Sequence, residues 1–164
     1  MKRNLIFIFL ILGLTLFFLW YSSPEQKIKR SLTDLRKSVE KEKESKVLDK
    51  IASFFKYYQY DKNDIARDCE MFFNSYDRIR IEIKDINIKV KKKKGVSSFR
   101  LKVLARYGGY FFILVGGRRE FEEVEFYWKK ENGKWKIFTC SFPTLRKWIS
   151  IRPKKQREKK YIKI

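Results

Sequence analysis

The chain has 164 residues, of which 44% are hydrophobic, so it can bury the core of one domain of ordinary size. Its formal charge is +21, from 40 Lys and Arg residues against 19 Asp and Glu residues. This charge makes a negatively charged partner plausible, but a lysine-rich surface that only contacts water would carry the same charge. The sequence contains no His, which excludes a His general base, a His metal ligand and a Ser–His or Cys–His catalytic pair.

The N-terminus carries a long apolar segment. Residues 4–21 contain no charged side chain and follow two basic residues. As a helix, this segment is about 27 Å long, close to the thickness of the hydrocarbon core of a bilayer. Trp20 and Tyr21 stand where interfacial aromatic anchors are expected, and small residues suited to signal-peptidase cleavage are missing. Residues 1–22 are therefore predicted to be an uncleaved transmembrane signal anchor.

Two features predict opposite orientations for this anchor. Six Lys or Arg residues lie within residues 27–41, and the positive-inside rule alone would keep the domain in the cytoplasm. A short basic start before an apolar segment is, however, the usual export signal, and folded domains cross despite their charge. We predict a single-pass protein of the cell inner (cytoplasmic) membrane with its domain on the extracytoplasmic side.

Three helices are predicted after the anchor. Ser23 and Pro24 are suited to the N-cap and the first helical position. A second helix is expected over residues 46–58, and Asp61 with Asp64 predicts the start of a third. Apolar residues recur at helical spacing in the first helix and on the inner face of the third: Ile28, Leu32, Leu35 and Val39, then Ile65, Cys69, Phe72 and Tyr76.

Residues 78–90 predict a long strand with a kink. Isoleucines occupy odd positions from Ile79 to Ile83 and even positions from Ile86 onward. Alternation of β-branched residues is typical of a strand with one buried face, and a change of parity would turn half of that strand inside out. A β-bulge at Lys84 and Asp85 absorbs the extra residue and curves the sheet.

The remainder of the chain predicts further antiparallel strands. A charged hairpin tip at 91–95 precedes a strand at 99–107, and Asn-Gly within 131–134 is a strong hairpin turn. Strands are also expected at 110–115, 124–128 and 135–142, and residues 144–164 form a basic C-terminal tail. Helices followed by an antiparallel sheet predict an α+β fold.

Three stretches resemble the nuclear transport factor 2-like (cystatin-like cone) superfamily. They are the helix pair at 24–58, the sequence Phe-Phe-Asn-Ser-Tyr-Asp-Arg-Ile-Arg-Ile-Glu-Ile at 72–83, and Trp-Lys-Lys-Glu-Asn-Gly-Lys-Trp-Lys-Ile at 128–137. The resemblance implies one domain over 23–143, with three helices packed on a curved antiparallel sheet around a conical pocket. Such domains serve as enzymes, ligand binders or interaction modules. The acidic residues that related proteins carry between the second and third helices are missing from residues 54–60.

The implied pocket would be lined by aromatic side chains. The candidates are Tyr57, Tyr60, Phe72, Tyr76, Tyr107, Trp128 and Trp135. Cys69 and Cys140, the two cysteines of the chain, lie on elements that commonly pack together in this fold. They are either a disulfide, which would stabilise the domain by roughly 4 kcal/mol, or two small buried side chains.

Aspartates are the candidates for acid–base chemistry, because cone-fold enzymes can use an Asp in an apolar pocket. Asp61, Asp64, Asp68, Asp77 and Asp85 lie nearest the expected pocket mouth. The competing interpretation of each is a helix cap or a surface ion pair. No two carboxylates have metal-binding neighbours, so neither a metal nor another cofactor is predicted.

Two further segments are candidate interaction surfaces. Residues 108–117 form an apolar run between glycine pairs, which predicts either an interior strand or an exposed flap that docks a partner or lipid. Basic residues near residue 91 and in the tail predict either solvated surface or contacts with anionic lipid, namely Lys91, Lys92, Lys93, Lys94, Lys154, Lys155 and Arg157.

The leading functional hypothesis is a membrane-anchored binding or interaction module at the cell envelope. Its predicted partners are the membrane, an unknown protein or small apolar ligand, and a second copy through the sheet. The alternatives are a small enzyme with an Asp acid/base and an electrostatic binder of nucleic acid or acidic polymer. Nucleic acid is the less favoured partner, because no nucleic-acid-binding motif is present.

Overall fold

A computed structural model of the chain describes residues 21–145. The predicted anchor lies outside this range apart from its last two residues, and so does the predicted tail beyond Leu145. No helix within the described range is both long and apolar enough to cross a membrane.

The described residues form an α+β domain whose helices come first and whose sheet follows. The helices are α1 (Pro24–Glu40), α2 (Glu44–Asp49) and α3 (Lys62–Ser75). A small two-stranded hairpin consists of β1 (Lys56–Tyr57) and β2 (Tyr60–Asp61). The large sheet consists of β3 (Asp77–Lys91), β4 (Lys94–Tyr107), β5 (Tyr110–Val115), β6 (Glu122–Glu131) and β7 (Lys134–Ser141).

Both predicted helix starts are confirmed. The Ser23 hydroxyl accepts a hydrogen bond from the Gln26 amide at 3.3 Å, and Pro24 follows at the first position of α1. At α3, the Asp61 carboxylate accepts from the Asp64 amide at 3.0 Å, and the Asp64 carboxylate accepts from the Asp61 amide at 3.0 Å. These reciprocal bonds satisfy amide groups that would otherwise have no helical partner.

The prediction of a helix over 46–58 is wrong beyond Asp49. The chain leaves the helix there and adds to the edge of the large sheet: the Ile137 amide donates to the Lys50 carbonyl, and the Ala52 amide donates to the Ile137 carbonyl, both at 2.9 Å. Residues 56–61 then form the small hairpin, in which Tyr58 has a positive φ of 54°. Apolar residues occur at helical spacing in this short aromatic segment, but such spacing does not distinguish a short helix from other structures. Residues 50–52 pair with β7 instead of continuing the helix.

The kink in β3 is confirmed. Between the pairs Lys84–Arg100 and Asn87–Ser98, β3 advances by one residue more than β4 does, and Asp85 lies in the left-handed region with φ 52°. A single extra residue bends the strand and reverses which side chains face inward. Accordingly Ile79 is buried before the bulge, and Ile88 is half-buried after it.

The large sheet is antiparallel and curved, in the order β3-β4-β6-β7, with β5 pairing with the end of β4 beyond β6. Its inner face packs against α1, where Ile28 and Leu32 are buried, and carries the core residues Val124, Trp128 and Ile137. None of the residues of α3 is buried. Helix α3 therefore lies over the inner side of the domain without being part of its tightly packed core.

Residues 110–113 form an exposed edge, so the interior-strand interpretation of this segment is wrong. Tyr110 is 75% exposed, and Phe111, Phe112 and Ile113 are each more than 40% exposed. Strand β5 pairs with β4 and lies off the main path of the sheet. Whether this flap contacts a partner stays a prediction.

Candidate functional site

A cavity of about 670 Å³ lies between the helices and the concave face of the sheet, and it is partly open to solvent. Its wall is almost wholly apolar. The helices contribute Leu32, Leu35, Val39, Ile65, Cys69, Phe72, Phe73 and Tyr76, and the sheet contributes Ile81, Ile83, Phe99, Leu101, Val103, Leu114, Phe126, Ile137 and Cys140. A cavity of this size and composition is typical of sites for small organic ligands.

The cavity exists because α3 is held away from the sheet. Its apolar face, which includes Ile65 and Phe72, is directed at the cavity and is only half-buried. The capping box at Asp61 and Asp64 sets where the helix begins, and the small hairpin ahead of it is buried through Tyr57 and Tyr60. The helix is thus fixed at its N-terminus and covers the cavity along its length.

Four of the seven predicted aromatic residues line the cavity: Tyr60, Phe72, Tyr76 and Tyr107. Three of them form a continuous series of ring contacts. The ring centroids of Phe72 and Tyr76 are 5.1 Å apart, and those of Tyr76 and Tyr107 are 5.9 Å apart. Tyr107 in turn contacts Phe112 at 6.5 Å. An aromatic path therefore leads from the cavity to the exposed end of β5.

The other three predicted aromatic residues do not border the cavity. Trp128 is fully buried in the core, where its indole Nε1 donates to Ser97 Oγ at 2.8 Å. Trp135 is also buried, with Lys130 Nζ 5.5 Å from its ring. Tyr57 is buried beneath β7, and its hydroxyl donates to the Phe142 carbonyl at 3.5 Å. These large side chains are part of the packed core of the domain.

The cavity wall also contains aliphatic residues, whereas the predicted pocket residues are all aromatic. Ile81, Leu101 and Val103 lie on inward positions of two alternating strands, and Leu35 and Val39 belong to the apolar stripe of α1. The periodicity that predicted these elements also identified the inward residues. It did not distinguish residues that pack together from residues that face an open space, since both are apolar.

Two charged side chains border the cavity, Asp68 on α3 and Arg36 on α1. Arg36 Nε lies 3.7 Å from Glu40 Oε2 on the same helix, and the Ile81 amide donates to the other Glu40 oxygen at 3.0 Å. These contacts attach the last turn of α1 to β3. Asp68 is thus the carboxylate among the described wall residues.

The remaining candidate aspartates act in caps and ion pairs. Asp61 and Asp64 form the α3 capping box, and Asp64 also pairs with Arg67. Asp85 pairs with Arg100 across the bulge. Asp77 accepts from Arg106 Nε at 2.9 Å, and this hydrogen bond lowers the pKa of the Asp77 carboxyl.

Cys69 and Cys140 are not bonded to each other in this structure, and both border the cavity. Burial raises the pKa of each thiol to about 12, and Glu44 and Asp68 add smaller contributions at Cys69. A thiol with such a pKa is a poor nucleophile at neutral pH. The disulfide stays a prediction that a thiol count can test.

The predicted anionic-surface contacts fall partly within the described range. Lys91 to Lys94 form the exposed turn between β3 and β4, whereas Lys154, Lys155 and Arg157 lie outside the described residues. Within residues 21–145, there is no cluster of three or more Cys, Asp or Glu side chains that could hold a metal ion.

Several solved structures with the same architecture are described as nuclear transport factor 2-like proteins. A Salmonella enterica protein of that superfamily superposes with a TM-score of 0.61 at 14% identity, over 72% of this chain and 88% of that one. A Streptomyces avermitilis protein of the family, provisionally described as a dehydratase, gives 0.58 at 9% identity, over 71% and 91%. A Bdellovibrio bacteriovorus protein gives 0.60 at 12% identity, over 71% of this chain but only 40% of its own.

These likenesses establish that the described domain has the nuclear transport factor 2-like cone fold. No family model matches the chain, and no curated protein matches its sequence. Identities below 20% show shared architecture and do not transfer an activity.

Proposed function

We propose that the domain is a binding module that holds one small, largely apolar molecule in its cone. The observation that carries this proposal is the cavity of about 670 Å³, whose wall is formed almost wholly by aliphatic and aromatic side chains. Moving apolar surface out of water lowers the free energy. A preformed cavity binds a ligand without a prior rearrangement of the protein. Arg36 and Asp68 at the wall offer polar contacts to one end of the ligand.

Binding accounts for the site better than catalysis does. The two thiols at the wall have pKa values of about 12 and are protonated at neutral pH. Asp61, Asp64, Asp77 and Asp85 are engaged in helix caps or ion pairs. The described wall therefore combines a large apolar surface with few groups that can transfer a proton.

The proposal includes attachment to the inner membrane through residues 1–22, with the domain on the extracytoplasmic side. Its support is the uncharged segment at 4–21, which is long enough to span the hydrocarbon core. Chain continuity would keep the cone within a short distance of the bilayer, where apolar and amphipathic molecules are concentrated.

A pair of matched substitutions tests ligand binding. Val39 borders the cavity, whereas Val96 is half-buried on β4 and does not. The full chain in lipid nanodiscs would be titrated with the apolar fluorophore N-phenyl-1-naphthylamine, with empty nanodiscs subtracted. We expect Val39→Phe to weaken saturable binding at least tenfold and Val96→Phe to leave it unchanged. Equal binding by all three proteins, with their circular dichroism preserved, would overturn the proposal.

Asp68 favours a second candidate, an enzyme that moves a proton on the bound molecule. This alternative predicts that a ligand extracted with the wild-type protein is converted on incubation, and that Asp68→Asn stops the conversion while probe binding persists. Recovery of the same unchanged ligand from both proteins would favour the binding module.

A further inference from the structure

The register of the large sheet aligns four lysines in one row across four strands. Lys91 of β3 pairs with Lys94 of β4, Lys94 with Lys129 of β6, and Lys129 with Lys136 of β7. Side chains of directly opposed residues in antiparallel strands point to the same face, with Cβ atoms about 5 Å apart. We call these four residues the lysine row.

Such a row costs stability, because like charges directly opposite each other on neighbouring strands repel. Lys136 is compensated by Glu131, whose Oε2 lies 3.1 Å from its Nζ. Lys129 lies with Nζ 5.1 Å from the centre of the Phe54 ring. Among residues 21–145, no ion pair is formed by Lys91 or Lys94, so the repulsion at that end of the row is not offset by a carboxylate of the domain.

The turn that joins Lys91 to Lys94 carries a second local cost. Its residues are Lys92 and Lys93, and Lys92 has a positive φ of 56°. A two-residue hairpin turn with a positive φ at its first residue favours glycine there, because glycine adopts positive φ most readily. In the β6–β7 turn of the same sheet, both residues have positive φ, and they are Asn132 (51°) and Gly133 (76°), which adopt it readily. The β3–β4 turn thus has a lysine at a positive-φ position, whereas the β6–β7 turn has residues that favour this conformation.

The backbone at the β4 end of the lysine row lies close to the first turns of α1. Gly95, next to Lys94, is so close to Ile28 that a Cβ added to it would be 2.5 Å from Ile28 Cδ1. Ile28 is in the first turns of α1, which begins at Pro24, directly after the apolar segment. By contrast, the last residue of α1, Glu40, contacts the amide of Ile81, far along β3 from the row.

We propose that the lysine row and its turn bind the headgroups of anionic phospholipids in the membrane that holds the N-terminal segment. This inference rests on the membrane attachment proposed above and is independent of ligand binding in the cone. Anionic headgroups neutralise the repulsion within the row, and each lysine near a charged membrane adds to the attraction. The contact would orient the domain, with the β3–β4 turn at the bilayer and the C-terminal end of α1 away from it.

The test is a lysine-protection experiment on the full chain in nanodiscs. Discs of phosphatidylcholine alone and discs containing phosphatidylglycerol would be treated briefly with an amine-acetylating reagent, and acetylation at each lysine would be quantified by mass spectrometry. We expect acetylation of Lys91 to Lys94 to fall several-fold in the anionic discs and to recover in 0.5 M salt. Lys41 and Lys43, exposed at the other end of α1, are the internal controls and should not change.

Each outcome is decisive. Equal acetylation at the lysine row in both kinds of disc overturns the headgroup contact while leaving membrane attachment in place. Failure of the chain to remain with either disc removes the attachment and the contact with it. Protection that needs added duplex DNA, whatever the lipid, overturns the lipid partner in favour of nucleic acid.

A turn variant tests whether the lysines that make this turn less stable are the residues that bind lipid. Lys92→Gly combined with Lys93→Asn places glycine at the positive-φ position of the turn and removes two charges. We expect this variant to unfold at a higher temperature than the wild type and to show weaker lipid protection at Lys91 and Lys94. A lower unfolding temperature, or undiminished protection, would contradict the argument from local cost.

Discussion

Trp128 donates a hydrogen bond from its indole nitrogen to Ser97 Oγ at 2.8 Å, and both side chains are completely buried. The two residues lie on the neighbouring strands β6 and β4, two positions away from direct opposition, so their side chains lie on the same face of the sheet. This bond satisfies the polar atom of the largest core side chain, so the tryptophan can be placed in the apolar interior at little cost.

Ser97→Ala should therefore destabilise the domain by about 1–3 kcal/mol, because the buried indole N–H loses its partner. Urea unfolding followed by circular dichroism measures the change. The neighbouring Ser98→Ala is the control, since Ser98 donates to Glu125 at 3.3 Å in a half-buried position and its loss should cost less. Equal losses of stability in the two variants would show that the buried hydrogen bond contributes no more than the half-buried one.

Gly95→Ala should destabilise the domain by about 1–3 kcal/mol through overpacking. The added Cβ would lie 2.5 Å from Ile28 Cδ1, so this methyl group would have to shift within a fully buried side chain. Ile28→Val removes that Cδ1, so the double variant should be less destabilised than the sum of the single variants. Gly117→Ala is the control, because its Cβ would make only an ordinary contact at 3.5 Å with Glu120. Additive single effects would exclude the contact as the cause.

Asp85→Val should destabilise the kinked strand by about 1–2 kcal/mol. Asp85 has φ 52°, and a β-branched residue is strained in this left-handed conformation, whereas Asn tolerates it. Asp85→Asn should therefore retain most of the stability that Asp85→Val loses. Glu82→Val, on the regular part of β3, controls for the change of residue type and should be neutral or stabilising. Thermal unfolding of the three variants decides between these outcomes.

Glu131 should contribute a pH-dependent stabilisation. Hydrogen bonds from Ser53 and then Lys136 lower the pKa of its carboxyl to about 2. Because the folded pKa is below the unfolded one, the stabilisation is complete above about pH 4.5 and is lost as the pH falls toward 2. The wild type should be more stable than Glu131→Gln at pH 7, and this difference should shrink below pH 4.5. A difference independent of pH would contradict the prediction, and Ser53→Ala should reduce its size.

The two thiols should react slowly in the folded protein. Burial raises the pKa of Cys69 and Cys140 to about 12, so at pH 8 their thiolate fraction is on the order of a thousandfold below that of an unfolded cysteine. We expect two thiols per chain to be titrated after unfolding without reductant, and almost none in the same time before unfolding. No titratable thiol after unfolding would instead establish the disulfide.

The helix starts and the kink were predictable because they depend on local chemistry. A capping aspartate needs only the amides of the next turn, and the parity change from Ile83 to Ile86 follows from the two-residue period of a strand. The end of α2 was not predictable in this way. The amide of Ala52 pairs with the carbonyl of Ile137, and a partner so distant in sequence leaves no periodic signal near residue 52.

The sequence predicted that the candidate site is apolar, but it did not predict all of the residues that line it. An apolar aromatic cone followed from the motifs at 72–83 and 128–137, yet Trp128 proved to be core and Val39 wall. Hydrophobicity dictates which residues leave water, but the distance between two elements dictates whether those residues meet each other or a cavity.

By itself, the sequence determined the order of elements, their caps, the bulge and the abundance of lysine, because each depends on neighbours within a few residues. Only the tertiary structure decided that α3 stands away from the sheet and that Lys91, Lys94, Lys129 and Lys136 share one row. The physical reason is that a cavity and a cross-strand row are relations between distant segments, set by strand register and helix packing.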